Sequence, residues 1–305
     1  IITAQNARGT DMPFRYEQNV ESEDGNNVYL TIDETIQSIC EKYMQKGVED
    51  NNVLNKGVCI AMDVNTGAIL AMVTTDGYDL NNPYELSAKD KKKIKSTPKK
   101  KQAEAESAAL SNMWRNKAVA DTYMPGSVFK MCVASAALEE NLVNEKTSFT
   151  CTGSISVEGE TIHCSNISGH GTQNFVEVIS NSCNPAFLDI AMKVGKEKII
   201  EAARKLHMEE KVDIGLEEEN FDLIPQNISI RNLAIGQGSM EFTPIQVNQM
   251  TQIIANNGTY KPLYLYDSIL DSNKNIIKTF KNTKSEEETK LATPSGLKVS
   301  YSGNK

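Results

Sequence analysis

The sequence lacks long apolar runs and lacks an excess of positive charge. No stretch of its 305 residues approaches the roughly 20 apolar residues that a membrane-spanning helix needs. We therefore expect these residues to lie outside a bilayer, with no signal peptide or anchor among them. The net charge of −8 gives no electrostatic reason to expect a nucleic-acid partner. A hydrophobic content of 39% is enough for one large core or two modest ones.

A serine and a lysine lie three residues apart at the start of a predicted helix. Ser127 follows a sharp turn at Met124-Pro125-Gly126, and Lys130 opens an apolar helical pattern that continues to Leu138. Positions i and i+3 share a helix face about 5 to 6 Å apart. A lysine whose pKa is lowered by burial can accept the serine proton there, and the helix N-terminus can stabilise an oxyanion. The alternative interpretation is an N-cap serine beside a solvated lysine.

A second polar group, Ser182-Cys183-Asn184, lies between two segments with helical patterns, residues 175–179 and 185–188. A junction of this kind can point a hydroxyl and an amide into a cleft. Cys183, the central residue, is given no catalytic role.

Taken together, these motifs resemble those of the penicillin-binding protein transpeptidases, whose active serine lies in S-x-x-K and whose second motif is S-x-N. The sequence looks most like the monofunctional enzymes of elongation or sporulation type. The resemblance implies an α/β (α+β) fold, in which an antiparallel sheet flanked by helices is joined to an all-helical subdomain. It spans most of residues 27–260 and also includes Leu30-Thr31-Ile32-Asp33, Ala61-Met62-Asp63, Thr66-Gly67-Ala68, Gly236-Gln237-Gly238 and Thr243-Pro244-Ile245-Gln246.

The resemblance implies a role for each of four residues. Ser127 attacks the D-alanyl-D-alanine carbonyl of a peptidoglycan stem peptide, and Lys130 accepts its proton. Ser182 relays a proton to the leaving amine, while Asn184 hydrogen-bonds Lys130 and the substrate amide. No cofactor is required for this chemistry, and a β-lactam would acylate the same serine. The family also implies the extracytoplasmic face of a bacterial membrane, an upstream anchor and a glycosyltransferase partner.

Two alternative functions stay open. β-Lactamases and β-lactam sensors share S-x-x-K, although the residues around Thr31 and Gln237 favour a transpeptidase. A non-catalytic scaffold for wall assembly is the other alternative, because the family's third motif, Lys-Thr/Ser-Gly, does not occur in the sequence. We expect that motif to lie beyond Lys305.

The predicted domain organisation is a lead-in over residues 1–26 and a transpeptidase domain over residues 27–305. Within the domain, residues 81–102 carry eight lysines between Lys89 and Lys101 and few apolar residues. Contact with an anionic wall polymer or with lipid headgroups is one interpretation of this segment. We predict instead a solvated, mobile insertion.

Cysteine and histidine are concentrated between residues 150 and 172, where Cys151, His163, Cys164 and His170 lie. If a hairpin turns in two residues near Glu158-Gly159, Cys151 and Cys164 are neighbours on one of its faces, and His163 points away. Three outcomes stay open: a structural zinc ion bound by Cys151, Cys164 and His170 with a fourth ligand from elsewhere, a disulfide, or reduced thiols. The thiols predicted to fill apolar core positions are Cys40, Cys59 and Cys132.

Overall fold

The computed structural model describes residues 25–53, 57–75 and 77–280. Most of the predicted lead-in over residues 1–26, and residues 281–305 of the predicted domain, lie outside the described residues. Within the described ranges, none of the helices is long and apolar enough to cross a bilayer.

The described residues alternate between short strands and helices and divide into two compact units, residues 25–30 with 266–280 and residues 31–265. Two 3-10 turns, Lys99–Lys101 and Gly126–Phe129, precede helices α3 and α5. The strands are β1 (Asn27–Leu30), β2 (Val58–Met62), β3 (Ile69–Thr74), β4 (Ser148–Cys151), β5 (Ser154–Val157), β6 (Glu160–His163), β7 (Gly171–Asn174), β8 (Tyr266–Leu270) and β9 (Ile276–Thr279). The helices are α1 (Glu34–Asp50), α2 (Ala88–Ser96), α3 (Gln102–Trp114), α4 (Lys117–Ala120), α5 (Lys130–Glu139), α6 (Phe175–Ser180), α7 (Asn184–Val194), α8 (Lys196–Lys205), α9 (Ile230–Ile235) and α10 (Pro244–Ala255).

The smaller unit is a three-stranded antiparallel sheet with the order β1-β8-β9. Strand β1 pairs with β8 from Asn27 opposite Leu270 to Leu30 opposite Tyr266, with an irregularity between Tyr29 and Leu30. Every residue of β1 and of β9 is exposed.

The larger unit begins with α1 and the β2-β3 hairpin. Asp33 caps α1, as its Oδ1 accepts a hydrogen bond from the Ile36 N–H at 2.9 Å. Gln37 ties the helix to β3, because its amide accepts from Met72 N at 2.8 Å and donates to Met72 O at 3.2 Å. The hairpin turns at Gly67, which has a φ of +82°. A Cβ there would lie 2.3 Å from Pro262 O, so this turn requires glycine.

The main core is helical. Helix α5 packs against α7 and α8, and α7 packs against α9. Side chains with no exposed surface fill the space between these helices, among them Phe129, Cys132, Phe187 and Leu233. Antiparallel strands and a packed helical group therefore coexist, and the predicted α+β class is confirmed.

The segment predicted to be a solvated, mobile insertion contains helix α2 and a 3-10 turn, and its eight lysines are exposed. The Ser87 hydroxyl caps α2 by accepting from Asp90 N at 3.1 Å. Near the start of the segment, Pro83 O accepts a hydrogen bond at 2.6 Å from the indole of Trp114 at the end of α3, and the Tyr84 ring meets the same indole edge-on. Leu86 is 5% exposed and anchors the loop before α2. The Ser87 cap and the contacts of Trp114 therefore stabilise a helical structure that the lysine-rich composition does not indicate.

The turn that carries Ser127 is braced by a second glycine turn. Gly126 N donates to Gly236 O at 2.8 Å. Gly236 has a φ of +71°, and a Cβ on it would lie 2.0 Å from Gly126 O. The Gly236-Gln237-Gly238 segment thus lies directly against the backbone of the turn, where only glycine fits.

We expect Gly236→Ala to destabilise the protein more than the matched change Gly159→Ala. Both residues have a positive φ, whose cost for alanine is about 1 to 2 kcal/mol. Only at Gly236 does the new Cβ also meet backbone, since a Cβ at Gly159 has no atom within 4 Å. The overlap should add at least about 1 kcal/mol, measured as the loss of unfolding free energy in urea. Equal losses for the two variants would contradict this account of the turn.

Candidate active site

Ser127 and Lys130 lie at opposite ends of one 3-10 turn. Ser127 is exposed and lies within the turn, whereas Lys130 is the first residue of α5 and is only 1% exposed. The predicted helix start is therefore a 3-10 turn, in which residues i and i+3 eclipse each other. The N-cap interpretation is wrong for this site: Ser127 makes no capping bond and the lysine is not solvated.

The Lys130 amine is held by the second motif. Its Nζ donates to Ser182 O at 2.7 Å, to Ser182 Oγ at 3.0 Å and to Asn184 Oδ1 at 2.6 Å. A lysine ammonium has three donors, so these three oxygens satisfy it completely. The Phe187 ring lies 5.3 Å from the same nitrogen. The structure thus brings Lys130, Ser182 and Asn184 together, whereas among the described residues no hydrogen bond joins the Lys130 amine to the hydroxyl of Ser127, three residues earlier on the exposed part of the turn.

The buried position of Lys130 changes its proton affinity. Burial lowers the pKa of Lys130 to about 8, while the thiols of Cys183 and Cys164 act in the opposite direction. Desolvation penalises the charged ammonium, so a larger fraction of the amine is neutral near pH 7 than for a solvated lysine. A neutral amine beside a serine hydroxyl is the requirement for a general base.

The geometry of the second motif depends on an unusual backbone conformation. Ser182 has a φ of +47°, in the left-handed region that residues other than glycine rarely adopt. Asn184 is the first residue of α7 and is followed by proline, which suits the first turn of a helix. The Asn184 amide nitrogen donates to His163 O at 3.0 Å, at the end of β6. The predicted bond between Asn184 and Lys130 is present, and β6 fixes the orientation of the amide.

A cluster of three thiols and one imidazole adjoins the second motif. The ligand atoms of Cys151, Cys164, His170 and Cys183 all lie within 4.8 Å of one another. Three of these residues were proposed together from the sequence, but Cys183 was not. The sequence signal for Cys183 was weak, because a cysteine between Ser182 and Asn184 belongs to a different motif and is remote in sequence from the other thiols.

The predicted hairpin is present, but Cys151 does not belong to it. Strands β5 and β6 are joined by the two-residue turn Glu158-Gly159, as predicted. Cys151 instead ends β4 and pairs with Gly171 of β7. The thiols still meet, because Gly153 turns the chain at a φ of +95° and its carbonyl accepts from Cys164 N at 2.8 Å. His163 is exposed and is not part of the cluster.

The donor set of the cluster fits a tetrahedral metal ion. Ligands about 2.3 Å from a zinc ion lie about 3.8 Å from one another, which is compatible with four atoms that all lie within 4.8 Å of one another. The Cys164 thiol lies 3.4 Å from His170 Nδ1. Burial raises the pKa of Cys151, but backbone N–H donors from His170 and Gly153 outweigh it and lower that pKa to about 6. Zinc binds thiolate rather than thiol, so Cys151 is already biased towards the form that a metal needs, whereas burial raises the pKa of Cys183 to about 11.

The other thiols lie outside the cluster, and all six cysteines are free. Cys132 is fully buried, which confirms its predicted place in the core, whereas Cys40 and Cys59 are only half-buried.

An exposed serine three residues before a buried lysine, in an α+β domain, is typical of serine acyltransferases that use an amine as base. Within that class the family can be stated. Residues 57–296 match the family described as the penicillin binding protein transpeptidase domain, and this chain belongs to that family. The predicted family and its fold are confirmed.

Named relatives and solved structures agree with this family. The chain is 29% identical over 271 residues to stage V sporulation protein D of Bacillus subtilis, covering 87% of this chain and 38% of that protein. It is 27% identical over 278 residues to peptidoglycan D,D-transpeptidase PbpA of Mycolicibacterium smegmatis, covering 88% of this chain and 54% of that protein. A ceftriaxone acyl-enzyme complex of penicillin-binding protein A from M. tuberculosis superposes with a TM-score of 0.72 at 25% identity, covering 88% of this chain and 59% of that one. The chain therefore spans about half or less of the length of these curated relatives.

If Lys130 is the base, acylation by a β-lactam should depend on pH. Only the neutral amine accepts a proton, and the lowered pKa of about 8 means that the neutral fraction grows as the pH rises through that value. The second-order rate constant should therefore rise from pH 6 and level off above about pH 8, with a total change of about 100-fold. Stopped-flow acylation with a chromogenic β-lactam measures this, with far-UV circular dichroism at each pH as the control for folding. A flat profile between pH 6 and 9 would exclude Lys130 as the base.

Proposed function

We propose that this chain supplies the acyl-transfer site of a peptidoglycan D,D-transpeptidase. One observation supports the proposal above the others: the Lys130 amine is buried, and Ser182 and Asn184 hold it three residues from an exposed serine. The family and the name of the PbpA relative agree with this activity. The substrate is the D-alanyl-D-alanine end of a stem peptide.

In the first half-reaction, Ser127 Oγ bonds to the carbonyl carbon of the penultimate D-alanine and gives its proton to Lys130 Nζ. The backbone N–H of Ser127 donates to the oxyanion of the tetrahedral intermediate. When the intermediate collapses, its C–N bond breaks. Ser182 Oγ, 3.0 Å from Lys130 Nζ, passes a proton from that amine to the leaving nitrogen, and D-alanine departs.

In the second half-reaction, an amino group of a neighbouring stem peptide attacks the acyl-enzyme. The nitrogen bonds to the acyl carbon, and its proton returns through Ser182 and Lys130 to the Ser127 oxygen as the ester bond breaks. The products are a peptide cross-link and the free serine. A β-lactam follows only the first half, because its leaving nitrogen remains tethered to the acyl group.

The β-lactamase alternative requires a base that activates water for deacylation. Among the described residues, the hydrogen-bond partners of Lys130 are hydroxyl, carbonyl and amide oxygens, and none is a carboxylate. This favours a long-lived acyl-enzyme and therefore a transpeptidase. A non-catalytic scaffold would have no use for a buried, fully hydrogen-bonded amine beside a serine.

The same proposal includes the setting of the enzyme. Stem peptides are cross-linked outside the cytoplasm, so we place this domain at the extracytoplasmic face of the bacterial membrane. An upstream anchor and a glycosyltransferase partner complete the proposal, and the support for both is family membership.

Incubation of the whole protein with penicillin should give one covalent adduct by intact-mass spectrometry, and Ser127→Ala should abolish it. The matched control is Ser168→Ala, which changes an exposed serine on the loop after β6 and should leave the adduct unchanged. Lys130→Ala should slow acylation by at least about 100-fold, since the hydroxyl loses its base.

An adduct that survives in Ser127→Ala would refute the assignment of the nucleophile. The adduct should also persist for many minutes in the unaltered protein. Rapid recovery of free protein, with many equivalents of hydrolysed penicillin, would instead identify a β-lactamase.

We also propose that a zinc ion is bound by Cys151, Cys164, His170 and Cys183. Four protein ligands fill a tetrahedron and leave no open position for substrate, so the ion has a structural role. Its fourth ligand would be Cys183, the residue between Ser182 and Asn184. Metal binding would then hold the second motif against β4 and the loop after β6, and with it the oxygens that bind Lys130.

Purified protein should contain about one zinc per chain, and Cys151→Ser or Cys164→Ser should lower both the metal content and the melting temperature. Cys40→Ser is the matched control, because Cys40 is a half-buried thiol outside the cluster. Chelation should also slow acylation of Ser127 by loosening Ser182 and Asn184, and zinc should restore the rate.

A metal-free protein with a Cys151–Cys164 disulfide in its peptide map would refute the zinc proposal. That result would leave the acyl-transfer proposal intact, because no step of the chemistry passes through the metal.

A further inference from the structure

A dense group of lysines lies on α2 and on the 3-10 turn that follows it, which together we call the lysine hairpin (residues 88–101). Between Lys89 and Lys101 there are eight lysines and one aspartate, a net charge of +7, whereas the whole chain carries −8 and the rest of it therefore −15. All eight lysines are exposed. Lys91 pairs with Glu85 at 3.0 Å, and the other seven have no ion pair within the described ranges.

The lysines of α2 cover one continuous side of the helix. At 100° per residue, Lys89, 91, 92, 93 and 95 occupy an arc of about 200°. Asp90 and Ile94, the half-buried residues of α2, lie at the centre of the opposite side. The helix therefore turns its only large apolar side chain towards the protein and presents a convex surface of ammonium groups to solvent.

The hairpin is held in place. Gln102, at the start of α3, donates from its amide to Thr97 O at 3.0 Å and to Lys95 O at 3.4 Å. Lysines three and four residues apart repel each other on a helix, and α2 contains one acidic residue to offset five of them. This repulsion destabilises α2 when the helix is surrounded only by solvent. A bound polyanion would reduce the repulsion and so stabilise the helix.

We propose that the lysine hairpin binds a flexible anionic polymer whose charges are phosphodiester groups. A bilayer fits this surface less well, because interfacial helices insert an apolar face and the outward side of α2 has none. A flexible polymer can bend around the helix and contact lysines over the whole arc of about 200°, whereas a flat bilayer surface can contact only part of that arc. Lysine is a strongly hydrated point charge that binds phosphate without planar geometry, and the segment from 81 to 114 contains no arginine for bidentate carboxylate binding.

This inference is independent of the acyl-transfer proposal, since the hairpin supplies no group to Ser127 or Lys130. The test uses long-chain inorganic polyphosphate as the probe and fluorescence anisotropy at several salt concentrations. The unaltered protein should bind, with an affinity that falls linearly with salt on a logarithmic plot. The triple variant K92Q/K93Q/K95Q should bind at least about 10-fold more weakly and should lower the slope of that plot by about 2, at about 0.7 per charge removed.

The matched control is K42Q/K146Q/K211Q, which removes the same charge from exposed lysines outside the hairpin. It should leave affinity and slope unchanged, and β-lactam acylation should be unchanged in both triple variants. Equal weakening in the control would show a net-charge effect and overturn the proposal. So would failure of the unaltered protein to bind polyphosphate, or binding confined to phosphatidylglycerol vesicles.

Discussion

The burial of the Lys130 amine is the constraint on which the rest of the site depends. Removing an ammonium from water is expensive, and an amine left without partners there would be more so. Three oxygens from a single short segment meet that cost, two from Ser182 and one from Asn184. The segment can supply them only if it is held within a fraction of an ångström. The carbonyl of His163 accepts a hydrogen bond from the Asn184 amide at the start of α7 and so fixes its orientation. The buried ring of Phe187 packs near the Lys130 amine.

The thiol cluster includes a residue of the same short segment that holds the Lys130 amine. Cys183 lies between the two residues that bind Lys130, and its sulfur lies within 4.8 Å of the sulfurs of Cys151, which ends β4, and Cys164, which follows β6. Any interaction that fixes the position of Cys183 therefore also restrains Ser182 and Asn184, its neighbours in the chain. The 3-10 turn is fixed independently, by the backbone of Gly236. The serine and the oxygens around its partner lysine thus come from two separately braced segments.

The sequence predicted the parts of the site that depend on local spacing. Local spacing was enough to name Ser127 and Lys130, which are three residues apart, whereas Ser182 and Asn184 were named from the resemblance to the family's S-x-N motif. Such sequence reasoning covers short segments. It failed where distant segments meet: Cys183 joins the thiols only through the folding of β4, β6 and α7, and Cys151 lies in a strand that pairs with β7 rather than with the expected hairpin. The helix in the lysine hairpin was not predicted, because the lysine-rich composition gave little sign of the capping by Ser87 or of the Trp114 contact with Pro83.

The backbone of Ser182 records a compromise between folding and chemistry. Its φ of +47° costs a residue with a Cβ on the order of 1 to 3 kcal/mol, and glycine would adopt the same conformation freely. A glycine at this position would relieve that strain, but it would also remove the hydroxyl that lies 3.0 Å from the Lys130 amine and leave this buried amine with one oxygen fewer. Because relieving the strain and losing the oxygen each change the free energy of unfolding by about 1 to 3 kcal/mol, stability alone gives no preference for glycine here, and the strained backbone is tied to the same hydroxyl that we propose as the proton relay.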